Sequence, residues 1–407
     1  MVHFLKPAFL CGLFLFVPIR LLAADIVVGM SGLFSGPSAS LGIELYRGSM
    51  AYFEHINSHG GVHGRKVVPK AYDNGYDPAR AIQNTIDLIE KDQAFVLFAY
   101  QGTPTVTRVL PLLKSYRERS IFLLFPYTGA QPHRQAPYAE QVFNLRPSYR
   151  EETKGLVDHF IALWRKKIAV FYQADAYGRS GWDGVRRALA QNGNLKIVAE
   201  ATYRRDTGFG ENLQAQVKLL KSADADAVVS IGTYAACAAF IRDARDMGWQ
   251  IPIANVSFVG SDNLMTLLAP SSSAKDYTRD LVISQVVPSF EDTSLSAVRE
   301  YRELMEKYHP TAPAAALANY QPLRYSFASF EGLLDAKLLV EIFKRMGENP
   351  ARSRLRQTVE GIKNFDLGID VPISFAPDKH EALEKIYYTT LQGDRFVPLL
   401  DWKRWEK

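Results

Sequence analysis

Short runs rich in β-branched and aromatic residues alternate with amphipathic stretches from Asp25 to Phe258, and this alternation constrains the fold more than any other feature. DIVVGM, KVVPKAYD, AFVLFAY and IFLLF lead four such units, and KIAVFYQ, LKIVAEATY, AVVSIG and IPIANVSF lead four more. A strand followed by a helix returns parallel to its predecessor, so the pattern predicts an α/β chain with two parallel sheets, each covered by helices. At 407 residues, 47% of them hydrophobic, the chain can fill two cores. Between the two sets Pro147 and Ser148 precede a helix with acids in its first turn, which places a crossover at about Asn144 to Ser148. After Phe258 come LVISQVV, the Ala- and Pro-rich HPTAPAAALANY, and SFASFEGLLDAKLLVEIFKRMG, whose apolar spacing is helical until Gly347. DVPISF and EKIYYTTLQGDRFVPL, the latter around Gln392-Gly393-Asp394, read as hairpin pieces.

The N-terminus, MVHFLKPAFLCGLFLFVPIRLLAAD, carries Lys6, an apolar run broken by Pro18 and Arg20, and the small pair Ala23-Ala24. That order is a secretory signal, expected to be cleaved near Ala24, and Arg20 makes the run too short to span a bilayer. Cys11 follows the bulky Leu10, which argues against a lipid attachment site. Without the signal Cys237 is the single cysteine, in an apolar helix, and is read as a small buried hydrophobe. The formal charge of +5 is scattered rather than gathered into a basic stripe with aromatics, so no nucleic-acid partner is expected, and no second segment is long enough to cross a membrane.

GLFSGPSASLG, Gly32 to Gly42, lies between the first strand and the first helix, where a glycine-rich turn can hold a phosphate. It lacks both the G-x-G-x-x-G spacing and a terminal Gly-Lys-Ser/Thr, so it is read as a tight turn at the mouth of a cleft. No G-x-S-x-G, H-E-x-x-H or Cys-x-x-Cys occurs, and neither catalysis nor a cofactor is expected. His55, His59 and His63 are spaced by four, but Gly60 and Gly61 interrupt the helix that would align them. They are read as a helix end rather than a metal site. Asp73 and Asp77 are read as capping residues.

The stretches GLFSGPSASLG, INSHGGVHGRKV, YDNGYDPARA and YQGTPT follow one another as in the leucine/isoleucine/valine-binding type I periplasmic solute-binding proteins of ABC importers. KIAVFYQADAYGRSG, ADAVVSIGTYAACAAFIRDARDMG and YYTTLQGDRFVPL continue the resemblance over nearly the whole mature chain. It implies two Rossmann-like lobes joined by three crossovers, near Leu145, Gln285 and Asp366. The first lobe would comprise residues 25–145 and about 285–365, the second 146–284 and about 366–407.

The resemblance further implies a periplasmic monomer that captures a small polar solute and delivers it to an ABC permease. The alternative is a sensor that docks on a receptor kinase, cyclase or chemoreceptor. Carried over by position, Gly102, Thr103, Tyr127 and Thr128 of the first lobe would read the ligand's carboxylate. Tyr177 and Tyr234 of the second would close over it, with Ser257 standing where many relatives place an acid for the α-ammonium group. The solute is expected to be an amino acid or a related carboxylate or amide; Asp262 comes only later and Leu41 replaces an aromatic ring, departures that point away from a plain amino acid and toward an aromatic or carboxylic solute, an amide or a polyol.

Overall fold

The computed structural model describes Val2 and residues 24–269, 275–316, 320–393 and 395–407. The expected secretory segment, including Cys11, Lys6 and Arg20, lies outside the described residues apart from Val2 and Ala24. The first sheet is built from β1 (Ile26–Gly32), β2 (Val67–Asp73), β3 (Val96–Phe98), β4 (Leu123–Leu124) and β5 (Val142–Phe143), with α1 (Ala39–Ser58), α2 (Pro78–Glu90) and α3 (Thr103–Ser115) between them. Its order is β2-β1-β3-β4-β5 and every pairing is parallel. The sequence punctuates these elements as expected. Asp77 caps α2 by accepting from the amides of Ala79 and Arg80, with Pro78 at the first helical position. His59 ends α1, followed by Gly60 and Gly61 at positive φ. His63 turns away from the other two histidines and bonds to the carbonyl of Lys344.

The second sheet follows: α4 (Tyr149–Ala162), β6 (Ile168–Gln173), α5 (Ala176–Gln191), β7 (Glu200–Tyr203), α6 (Gln214–Ser222), β8 (Ala227–Ile231), α7 (Tyr234–Asp246), β9 (Ile253–Asn255), α8 (Ser261–Leu268) and β10 (Leu281–Gln285). Ser148 and Glu151 close a reciprocal capping box at the start of α4. The chain then returns to the first lobe as α9 (Ser296–Tyr308), α10 (Phe327–Met346) and α11 (Arg352–Glu360), and ends as β11 (Tyr387–Gln392) and β12 (Arg395–Pro398). The order β12-β11-β10-β9-β8-β6-β7 shows that this sheet is not wholly parallel, because the terminal hairpin adds two antiparallel strands beside β10.

α10 lies directly on α1. A Cβ at Gly48 would stand 1.7 Å from the carbonyl oxygen of Ser329, and one at Gly332 2.1 Å from that of Leu45. Three crossovers join the lobes. The first, from Phe143 to Tyr149, runs beside the third: the amide of Asn144 donates to the carbonyl of His380, and that of Leu383 to Leu145. The second follows Gln285. The third lies at Leu383 to Tyr387 rather than near Asp366. Phe365 and Ile373 bond to each other, and the ring of Phe375 packs on Phe125 and Phe143, which keeps this segment against the first sheet.

Candidate functional site

The loops that follow parallel strands of the two sheets meet, Tyr76 after β2 and Tyr127 after β4 both packing on Phe258 after β9, and such strand ends are where open α/β sheets bind ligands. On the first lobe the glycine-rich turn is fixed by side chains rather than by an anion. Asp73 accepts from the amides of Phe34 and Gly75 and from the Ser35 hydroxyl, so it pins the loop instead of capping a helix. Gln101 accepts from the amide of Leu33 and donates to the carbonyl of Gly42. A Cβ at Gly42 would come within 2.0 Å of the Leu33 carbonyl oxygen, which is why glycine is needed there.

Gly102 opens α3 at φ 94°, with the Tyr76 ring against its Cα, and its amide donates to the carbonyl of Tyr127. The hydroxyls of Thr103 and Thr128 bond to each other at 2.7 Å, and Thr103 reaches the Tyr149 hydroxyl at 3.4 Å. The Tyr127 ring lies between Phe258, 5.2 Å away, and the Arg146 guanidinium, 4.5 Å from its centroid. Burial holds the hydroxyls of Tyr76, Tyr127 and Tyr149 above the usual phenol range, so they remain protonated donors.

From the second lobe the Tyr177 ring packs on Tyr149 at 5.2 Å and on Phe258 at 4.9 Å. Its hydroxyl donates to the carbonyl of Gly232, and the whole side chain is buried. Ser257 begins the turn after β9, accepts from Arg146 Nη2 at 2.6 Å and donates to Glu152 at 3.1 Å. Gly102, Thr103, Tyr127, Thr128, Tyr177 and Ser257 are thus gathered around Tyr149, Phe258 and Arg146. Tyr234 lies at the α1 end of the crevice, where Gly260 sits between it and Leu41. Asp262 accepts the amide of Phe327 at the start of α10 and has no ion-pair partner among the described residues.

Several residues that the sequence did not single out complete the contact between lobes. Arg205 of the second lobe lies over the Tyr76 ring and donates to the Tyr76 carbonyl at 2.9 Å, while its Nε holds Asp175. Gln173 donates to the Tyr76 hydroxyl at 3.3 Å. Beside these contacts a cavity of about 360 Å³ opens between the lobes, bounded by Thr103, Thr107 and Ala130 on one side and Arg150, Ala176 and Arg179 on the other. Replacing Arg205 with alanine removes one charge-assisted hydrogen bond and one cation–π contact across the crevice. Small-angle scattering is expected to show a larger radius of gyration, from a loss of about 1 to 3 kcal/mol in the closed arrangement. An unchanged profile would confine Arg205 to the packing of its own lobe.

The family model described as periplasmic binding protein matches residues 25–395. The chain belongs to the periplasmic binding protein family. It is similar to an amino acid binding protein of Pseudomonas aeruginosa, 25% identical over 362 residues that cover 86% of this chain and 88% of the relative. It is also similar to a Leu/Ile/Val-binding protein homologue of Brucella melitensis, 25% identical over 67% of this chain and 74% of that one. Among solved structures, a possible leucine/isoleucine/valine-binding protein from Rhodopirellula baltica superposes with a TM-score of 0.82 at 30% identity, covering 96% of this chain and all of its own. A branched-chain amino acid ABC transporter structure from Thermus thermophilus with bound valine gives 0.78 at 20% identity, over 93% and 96% of the two chains. These place the binding protein in the leucine/isoleucine/valine-binding, type I branch of its family, with the two-lobed α/β fold that the sequence predicted.

Tyr127 of the first lobe and Phe258 of the second meet across the crevice, with Tyr177 packed on both Phe258 and Tyr149.

Proposed function

We propose that the protein captures a small solute bearing a carboxylate or amide in the crevice between its lobes and delivers it to an ABC permease, without catalysing a reaction. The observation that carries this reading is the convergence of Thr103, Thr128, Tyr127, Tyr177 and Ser257, drawn from both lobes, on one crevice at the strand ends. The relatives named as amino acid and Leu/Ile/Val-binding proteins support it. The protein acts as a periplasmic monomer, exported by cleavage near Ala24. Hinge closure supplies the signal that the permease reads: solute contacts to both lobes exist only in the closed form, so the closed population rises with the differential affinity.

The test is a thermal-shift screen of the mature protein against amino acids, other carboxylates, amides, amines and sugars, followed by small-angle scattering on any hit. A true solute raises the melting temperature with a dependence on RT ln(1 + [L]/Kd) and makes the particle more compact. A protein that no solute stabilises, or that keeps a constant radius of gyration at saturation, would overturn the reading.

A further inference from the structure

Arg146 lies in the first crossover, is 2% exposed, and is in contact with both lobes. Its Nη2 donates to the Ser257 hydroxyl in the second lobe. Its guanidinium covers the Tyr127 ring of the first. Its Nε stands 3.4 Å from Glu331 of α10 without a hydrogen bond, and neither Nε nor Nη1 has a hydrogen-bond partner among the described residues. Buried donors of this kind are costly to leave unmade, and a guanidinium offers them as a planar fork that matches a carboxylate.

The acids around Arg146 do not all oppose its charge. Glu152 of α4 is occupied by the amide and hydroxyl of Ser257 and by the Ser284 hydroxyl. Burial pushes Glu331 up to about 7 and Asp335 well above the usual carboxylate range, and the Arg146 charge lowers both less than burial raises them. A protonated Glu331 is itself a donor. Arg146 and Glu331 therefore stand side by side as a buried pair of loose geometry next to the Tyr127 ring, with the Nε and Nη1 donors of Arg146 still open.

We infer that Arg146 is the anchor for the solute's carboxylate, with Glu331 beside it, and that it selects carboxylic acids over their neutral amides. This rests on the solute-binding reading above. The anion is received at the crossover that both lobes share, so its charge is satisfied when the lobes close around it.

The experiment uses twin probes on the mature protein: leucine and leucinamide, isocaproate and isocaproamide, phenylacetate and phenylacetamide, benzoate and benzamide. A carboxylate is expected to stabilise the protein while its amide twin binds roughly 100-fold more weakly, since a neutral amide makes weaker hydrogen bonds to the open Nε and Nη1 donors than a carboxylate does. Arg146→Gln should erase the preference and Arg146→Lys should restore only part of it. Glu331→Gln, which keeps the shape and removes a carboxylate that competes for Arg146, should retain carboxylate binding. Should Arg146→Gln fail to fold, the wild-type twins and Glu331→Gln still decide.

Twins that bind equally overturn the assignment and leave solute binding intact. So does binding lost in Glu331→Gln but untouched in Arg146→Gln, or a hit confined to amines or sugars. A wild type that nothing in the wider panel stabilises overturns the solute-binding reading, and this inference with it.

Discussion

Gly48→Ala is expected to destabilise the protein by more than about 3 kcal/mol, although alanine in a helix is ordinarily favoured over glycine by about 1 kcal/mol. The reversal of sign comes from the crossing of α1 and α10. The two helices interlock through Gly48 against Ser329 and through Gly332 against Leu45, backbone to side-chain position on both sides. The Ser49 hydroxyl, one residue on, donates to the carbonyl of Gly332 at 3.0 Å and would be pulled off as the helices separate. Backbone atoms on both sides leave no flexible side chain to move aside, so the helices must part, and Leu45, Phe53, Leu333 and Phe330 lose their packing. Urea denaturation followed by circular dichroism measures this directly. A midpoint equal to or above that of the wild type would mean that the two helices are not in contact, and the return of the chain to the first lobe would have to be redrawn.

The parts of the fold that local signals govern were legible. The strand-helix alternation, the Ser148 cap, the Asp77-Pro78 start, the Gly347 stop and the final hairpin each depend on a few neighbouring residues, and each stands where the sequence put it. The third crossover was not. The residues after Asp366 look like the start of a hairpin, but the rings of Phe375 and His380 pack on Phe143, a contact across more than 230 positions that no local pattern records. Of the candidate site, the residues at strand ends could be nominated because strand ends define the crevice. Arg146 could not, since NLRPSY reads as a connector, and its partners Ser257 and Glu331 lie far along the chain. One signal was available. Glu331 and Asp335 sit one turn apart in a helix that is apolar almost all round, and such a helix buries whatever acids it carries.

Buried acids of this kind make stability fall, not rise, as the pH is raised from about 4 to about 7. Asp262 belongs to α8 of the second lobe and accepts the amide of Phe327, which begins α10 of the first. Burial pushes its carboxyl up to about 7, with Glu44 and Glu291 adding to the rise and the Phe327 amide opposing it. In the unfolded chain it titrates near the ordinary aspartate value of about 3.9. Between those two values the folded protein holds a proton that the unfolded chain has lost. The stabilisation is therefore full below about 4 and is lost as the pH rises through 7. A displacement of about three units corresponds to a ceiling of roughly 4 kcal/mol. Asp262→Asn keeps an acceptor for the Phe327 amide and removes the titration. It should match the wild type in stability at pH 4 and exceed it by about 2 to 4 kcal/mol at pH 8, measured by urea denaturation at both values. Identical pH profiles for the two proteins would mean that Asp262 remains in water, and hence that α8 and α10 are not held together in solution. The contact spans the two lobes, so the gain extends from folding to closure: at pH 8 the variant is expected to be the more compact of the two by small-angle scattering.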